Sequence, residues 1–176
     1  MITIWQAMSF NRKIACMVDM VDKQAPIPLP FWEQKKLHEL NQEEWESLCD
    51  GCGLCCLQKL QDDETEEVFY TAISCQYLDV DTCRCKVYEN RLEHLPECLN
   101  LDYANFHGAL PWLPPSCAYK RVYEGKPLAE WHPLVAKNND AIHRDQRSVR
   151  HFAISETKVA EEDWQDYLID LIQLDD

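Results

Sequence analysis

The sequence has no stretch approaching the ~20 consecutive apolar residues of a membrane-spanning helix, and no run of Lys and Arg dense enough to form a basic patch. The first absence argues against a membrane protein. The second, with 31 Asp and Glu against 17 Lys and Arg and a formal net charge of -14, argues against phosphate backbones and anionic lipid as partners. No nucleic acid and no membrane are expected, and a protein partner stays open. Also missing are a glycine-rich phosphate loop, a nucleotide fingerprint, a zinc-protease histidine spacing and a defensible Ser-His-Asp ordering. There is no internal repeat. Residues 1–20 place Arg12 and Lys13 at their centre and lack the continuous apolar region and small-residue cleavage site of a secretory signal. The expected location is therefore the cytoplasm, where thiols stay reduced. Secretion with a disulfide framework is the competing reading.

What the sequence does have is ten cysteines in 176 residues. A chain of this length can bury a conventional core as one domain, so the cysteines are not needed as staples. Nine lie between Cys49 and Cys117, and only Cys16 stands apart. The stretch Cys49-Asp50-Gly51-Cys52-Gly53-Leu54-Cys55-Cys56 packs four thiols into eight residues, with two glycines that allow the backbone to fold back. Thiolates so close repel one another unless a metal supplies compensating charge.

Two inorganic partners fit, zinc and an iron-sulfur cluster. Zinc takes four ligands in a tetrahedron, and Cys49 with Cys52 or Cys83 with Cys85 are reasonable half-sites. The spacing Cys49-x-x-Cys52-x-x-Cys55 matches the first three ligands of a bacterial ferredoxin run. The fourth position does not match, because Cys56 follows at once and Leu57 stands where proline would be expected. Neighbouring cysteines ordinarily point in different directions. Cys56 is thus expected to face elsewhere, with completion of the site from Cys75, Cys83, Cys85 or Cys98. In extended chain Cys83 and Cys85 would share a side, with Arg84 opposite.

The expected architecture is α+β: a small cysteine-rich single domain, residues 26–176, with short helices, a β-hairpin and a C-terminal amphipathic helix, organised around a metal or cluster site. Residues 1–25 read as an N-terminal arm or a mis-assigned start, since Met8, Met17 and Met20 could each begin translation. Asn41 to Glu44 reads as a capping box opening a helix that ends near Asp50-Gly51. The segments 57–61 and 66–74 flank a polar turn and predict a hairpin. A short helix is expected over 87–95, a helical turn over 102–107 ended by Gly108, and a helix capped by Ser116 and running to Gly125. Trp131-His132-Pro133-Leu134 reads as a turn, Ala141 to Gln146 as helix and Ser148 to Ile154 as a strand. Trp164, Leu168, Leu171 and Ile172 have the spacing of an amphipathic helix.

The other candidates are weaker. His38, His94, His107, His132, His143 and His151 read as ordinary histidines, with His94 and His107 as reserve ligands. Tyr88 and Arg91 fall on one helical face, for packing or for a hydrogen bond to a ligand. Asp62-Asp63 and Glu66-Glu67 read as solvated charge.

Taken together, Trp45-Glu46-Ser47-Leu48-Cys49-Asp50-Gly51-Cys52-Gly53 with Cys55-Cys56, Cys75, Cys83-Arg84-Cys85, Tyr88, Arg91, Cys98, Trp112-Leu113-Pro114, Cys117-Ala118-Tyr119, Glu124-Gly125-Lys126, Trp131-His132-Pro133-Leu134 and Ser148-Val149-Arg150 carry a resemblance. The chain resembles the bacterial CxxCxxCC cysteine-cluster family, described as zinc- or iron-chelating, and within it the YcgN-like branch. That resemblance implies Cys49, Cys52, Cys55, Cys56, Cys75, Cys83, Cys85, Cys98 and Cys117 as the cysteine set and leaves Cys16 out. It brings no reaction with it; a related motif occurs in the larger lysine N-methylases of flagellin. The expected function is binding of an iron-sulfur cluster or zinc. The alternatives are a redox or methyl-transfer enzyme using the cluster, and an interaction module with structural zinc.

Overall fold

The computed structural model describes residues 28–171. The proposed N-terminal arm and Ile172 lie outside them. By its contacts the chain divides after Pro30, and the helices and strands among the described residues belong to the unit that begins at Phe31.

Short elements dominate. Helix α1 covers Phe31–Gln34 and α2 Gln42–Ser47. The capping box opens α2 as expected: the Glu44 N–H donates to Asn41 Oδ1 (2.9 Å) and the Asn41 N–H to Glu44 Oε2 (3.0 Å). The hairpin also forms, with β1 at Leu57–Gln61 antiparallel to β2 at Val68–Ser74. Its turn is held by Asp62 Oδ1, which accepts from the N–H groups of Glu64 and Thr65. The predicted solvated carboxylate is a turn-former. A second small sheet pairs β3, Leu78–Asp79, with β4, Arg84–Cys85. Helices α3 (Arg91–His94), α4 (Phe106–Ala109), α5 (Ala118–Tyr123), α6 (Pro133–Ala136) and α7 (Ala141–Arg144) follow, and strands β5 (Ile154–Ser155) and β6 (Leu168–Ile169) complete the larger sheet. Mixed helix and strand on this scale is an α+β arrangement. No helix among the described residues is long and apolar enough to cross a membrane.

Several expectations give way. Trp164 does not open an amphipathic helix: Glu161–Tyr167 is a 3₁₀ stretch and Leu168–Ile169 is strand. The reason lies in β2. Its far edge, with Thr71 and Ser74 fully buried, would leave backbone groups unpaired. β5 covers Ile73 and Ser74 in parallel, and β6 covers Tyr70 and Thr71 antiparallel. Ladder pairing overrides helical spacing there. Likewise Val149–His151 is a 3₁₀ turn, where the Val149 N–H donates to Cys52 O at 2.9 Å, so of the predicted strand only Ile154 is extended into a ladder, within Ile154–Ser155. Gly108 sits inside α4 instead of ending a turn, and Cys117, not Ser116, precedes α5.

Two buried clusters carry the fold. Leu37, Trp45, Leu48, Phe106, Leu113 and Tyr119 belong to the first; Leu54, Leu57, Tyr70, Leu78, Cys83 and Val149 form the second. Long-range hydrogen bonds lock the end of α2 into the first. Trp45 Nε1–H donates to Leu101 O (2.7 Å), and Tyr119 O–H donates to Trp45 O (3.0 Å). His132 is fully buried, with its Nδ1 accepting from the Leu134 N–H (3.1 Å) and its Nε2 beside Leu48 O (3.1 Å). These contacts require the neutral ring with the proton on Nε2, so the predicted turn is a histidine-capped helix start.

Between the clusters runs the cysteine loop, and its glycines are not interchangeable with other residues. Gly51 (φ 77°) and Gly53 (φ 78°) both lie in the left-handed region. A Cβ on Gly51 would stand 3.0 Å from Arg84 Nη2, and one on Gly53 2.7 Å from Val149 Cγ2.

Gly53→Ala should therefore cost about 2 kcal/mol or more, from the left-handed backbone and overpacking together. Gly108→Ala, with nothing within 4 Å, should stabilise by about 0.5–1 kcal/mol; denaturant unfolding of both variants checks the contrast. Burial lowers the pKa of His132, against weaker opposing pulls from Leu48 O and Asp50. The unfolded chain then takes up the proton first, so stability is intact above about pH 6.5 and falls below it, by at most ~1.4 kcal/mol per pH unit. In a pH series of unfolding curves, His132→Gln should flatten that slope.

Candidate metal centre

With Leu48 O held by His132, the chain leaves α2 directly into Cys49. The Cys52 N–H donates to Asp50 Oδ1 (2.9 Å) and the Cys56 N–H to Gly53 O (3.0 Å), so Leu54–Cys56 closes as a 3₁₀ turn. That curl brings the sulfurs of Cys55 and Cys56 to 4.0 Å. Both sulfurs border one cavity, while Cys55 packs against the first buried cluster and Cys56 against the second.

The second cysteine group is stitched to the first. The Cys75 N–H donates to Cys56 O (2.9 Å), and the Leu78 N–H to Cys75 O (3.0 Å). Leu78 is the strand partner of Cys85. Cys98 follows α3, its N–H on Leu95 O. As a result Cys49, Cys52, Cys55, Cys56, Cys75, Cys83, Cys85 and Cys98 all line one cavity of about 420 Å³. Cys117, the ninth cysteine of the set, sits at the start of α5 and is packed against the first cluster, as is Cys55. Among the described residues all nine are free thiols. No three His, Cys, Asp or Glu side chains among these residues stand close enough to hold one ion as they are.

Cys83 and Arg84 depart from the extended arrangement. Cys83 has φ 54°, which ends the alternation, and Arg84 turns toward the cavity wall instead of away. Its guanidinium covers Gly51, and Nη1 approaches Cys49 Sγ at 3.9 Å. Lys59 joins it from β1, where the register shifts between Leu57 and Lys59. Through this irregularity Leu57, Gln58 and Lys59 all line the cavity, as strand bulges beside sites often allow. Lys59 Nζ donates to Cys55 O (3.0 Å) and Leu57 O (2.7 Å) and lies 5.0 Å from the centre of the Tyr70 ring.

Burial dominates the electrostatics. It pushes the Cys49 thiol up to about 12, with the Asp50 charge adding to the effect. Cys49 has an exposed surface while its sulfur is densely surrounded; the exposure is toward the cavity that it lines. Cys52 and Cys117 are likewise raised, chiefly by burial. Burial also raises Cys75, Cys83 and Cys98. Cys55 is the exception, lowered to about 7 by its hydrogen bond with Cys56 and then by the nearby Lys59 ammonium; Cys56 is raised by the same contact. Without a cation the site favours neutral thiols. The donor set, soft sulfur throughout, suits zinc, copper(I) or iron-sulfur chemistry in place of magnesium or calcium.

The weaker candidates sort differently. His94 lies against Tyr77 and His107 against Phe106 and Tyr123, and neither lines the cavity. Arg91 stacks on the Tyr88 ring and donates to Tyr88 O and Asn100 Oδ1, while Tyr88 O–H donates to Glu46 Oε2. Their role is packing in the cavity wall. Sequence reasoning missed Lys59, Arg84, Tyr119 and His132. Lys59 and Arg84 are lone cations in plain view, but only long-range pairing shows what they face.

Comparison with known proteins agrees with this donor chemistry. Residues 48–118 match the CxxCxxCC family, described as "Putative zinc- or iron-chelating domain". The UPF0260 protein of Ectopseudomonas mendocina is 51% identical over 140 residues, 80% of this chain and 93% of that protein. That of Azotobacter vinelandii is 52% identical over the same shares, and one from Klebsiella pneumoniae is 47% identical over 142 residues, 81% of this chain and 94% of that protein. No solved structure matches the chain. About half identical to these relatives over 80% of its own length and nearly the whole of theirs, the chain belongs to the UPF0260 family of CxxCxxCC proteins.

Proposed function

We propose that this protein binds a thiolate-held metal centre, an iron-sulfur cluster in first place and zinc in second, in the cavity between its two cores. One observation carries the reading: eight cysteines line a single cavity of about 420 Å³. Four thiolates at ~2.3 Å would close around a lone zinc, whereas this space suits a polynuclear centre. Cys49, Cys52, Cys55, Cys56, Cys75, Cys85 and Cys98 are the proposed holders on the cavity, with Cys117 behind it. A bound cluster would supply one-electron chemistry. The chain's own part is to exclude water, deliver sulfur from both groups, and set Lys59 and Arg84 against the thiolate charge. Free thiols in such number fit the reducing cytoplasm.

A second reading, an enzyme acting beside the centre, is favoured by the cavity's apolar walls. Leu78, Val87, Leu95, Leu99 and Trp112 line it together with the sulfurs, and its volume falls in the range of small-molecule sites.

Protein purified without oxygen should carry iron and acid-labile sulfide with a visible absorption band. Stoichiometric zinc with no visible band would move the reading to zinc. Finding neither, with all thiols reactive, would overturn it. Because both cores are built mainly from aliphatic and aromatic side chains, chelation should remove the metal and leave circular dichroism largely unchanged; loss of fold would point to purely structural zinc.

A further inference from the structure

We propose that Arg84 and Arg150 head a docking face for a partner protein with an acidic surface, set beside the exposed Cys49 and independent of which metal the cavity takes.

The face begins where the charge balance of the chain reverses. The whole sequence has 31 Asp and Glu against 17 Lys and Arg, yet from Ala141 to Ser155 it has Arg144, Arg147 and Arg150 with His143 and His151, and Asp145 as the sole acid. Two of these arginines are occupied. Arg144 pairs with Asp145 at 2.9 Å, and Arg147 stacks over Trp131, 4.8 Å from the ring centre. Among the described residues no carboxylate stands in ion-pair contact with Arg150, and its Nε is buried without a hydrogen-bond partner.

Folding adds Arg84, which no run in the sequence supplies. Gly53 is the meeting point: a Cβ placed there would stand 2.7 Å from Val149 Cγ2 and 3.6 Å from Cys83 Cβ. Arg150 follows Val149 and Arg84 follows Cys83, so two segments distant in the chain bring their arginines to one part of the surface. The ring of His143 lies within the field of both. Burial lowers its pKa, and the charges of Arg150 and Arg84 add to the effect against the pull of Asp140. Ser148 Oγ, 2.7 Å from His143 Nδ1, holds that ring in place. Arg84 is exposed and, like Arg150, has no carboxylate in ion-pair contact among the described residues. Asp79, opposite it in the β3–β4 pair, is occupied with the N–H groups of Asp81 and Thr82.

An acid-rich chain that leaves two neighbouring arginines without carboxylates of its own presents them to carboxylates from outside. Salt screens charge over ~8 Å under physiological conditions, so the local face, more than the distant acids, decides what settles on it. Its place gives the docking a purpose. Arg84 Nη1 lies 3.9 Å from the sulfur of Cys49, the one cysteine of the nine described that is exposed. A partner held by Arg84 therefore lies against the point where the cysteine site reaches the surface. Charge complementarity of this kind governs encounter and orientation more than final affinity. Nucleic acid is a poorer occupant, because two unpaired arginines neutralise few phosphates on a chain of net charge -14.

The full chain as purified, titrated with a plant-type ferredoxin as an acidic protein probe, tests the face, with surface plasmon resonance for affinity and hydrogen-exchange mass spectrometry for location. Protection should centre on peptides holding Arg84 and Val149–His151, and binding should weaken as salt is raised. Arg84→Glu combined with Arg150→Glu should weaken it about tenfold, and the gentler Arg84→Gln with Arg150→Gln about threefold. Lys36→Glu with Lys158→Glu makes the same change in net charge on exposed residues and should leave affinity within about twofold. Absent binding, protection centred elsewhere, or equal weakening by the lysine pair overturns the proposal. So does inorganic phosphate that protects the same peptides and displaces the probe, which marks a small-anion site. Sedimentation that shows the free chain self-associating, with the self-association lost in the arginine pair, overturns it in favour of a second copy. Metal content does not enter these readouts, so their failure is distinct from failure of the metal-binding reading.

Discussion

Sulfur crowded into a buried space is the constraint on which this structure turns. Burial alone raises the thiols of Cys49, Cys52 and Cys117, and each additional thiolate would raise its neighbours further. The chain answers with three countercharges in the wall, Lys59, Arg84 and Arg91, and among the described cysteines Cys55 is drawn down. Asp50 adds a buried negative charge beside these sulfurs, a setting in which a cation would offset charge that burial otherwise penalises.

Rigidity around that place comes from the two cores. The first grips the approach to Cys49 through Trp45, Tyr119 and His132, each of which donates a side-chain hydrogen bond to a backbone carbonyl. The second grips the exit, where the Val149 N–H holds Cys52 O and Val149 fills the space beside Gly53. Cys55 packs against one core and Cys52 and Cys56 against the other. The loop is short and irregular, yet each end is fastened to a separate apolar mass. Small openings of either mass would be felt at the sulfurs.

What can be read in the sequence is local. Asn41 and Glu44 make their reciprocal bonds within four residues, and the hairpin needs only its turn and flanking strand formers, so both are legible. The C-terminal segment is not, because the free edge of β2 that recruits Leu168 and Ile169 is created about a hundred residues earlier in the chain. Arg84 escapes prediction for a related reason: alternation assumes extended backbone, and the positive φ of Cys83 breaks it one residue before. Adjacency suggests that Cys55 and Cys56 diverge, and they do pack against different cores, yet the 3₁₀ turn after Gly53 leaves both sulfurs on one cavity. The cysteine set comes with the family resemblance. Its gathering around one cavity depends on the Cys56–Cys75 and Leu78–Cys85 pairings, at which spacing only hints.

The His132 contact also sets an order of events during synthesis. Leu48 and His132 are 84 residues apart, so at ~5–20 residues per second roughly 4 to 17 seconds pass between the ribosome making one and the other. Throughout that interval the CxxCxxCC thiols have been made while the ring that clamps the carbonyl just ahead of them does not yet exist. Val149, the other clamp, is made later still. The loop that carries the sulfurs can therefore take its clamped form only once translation has passed both residues.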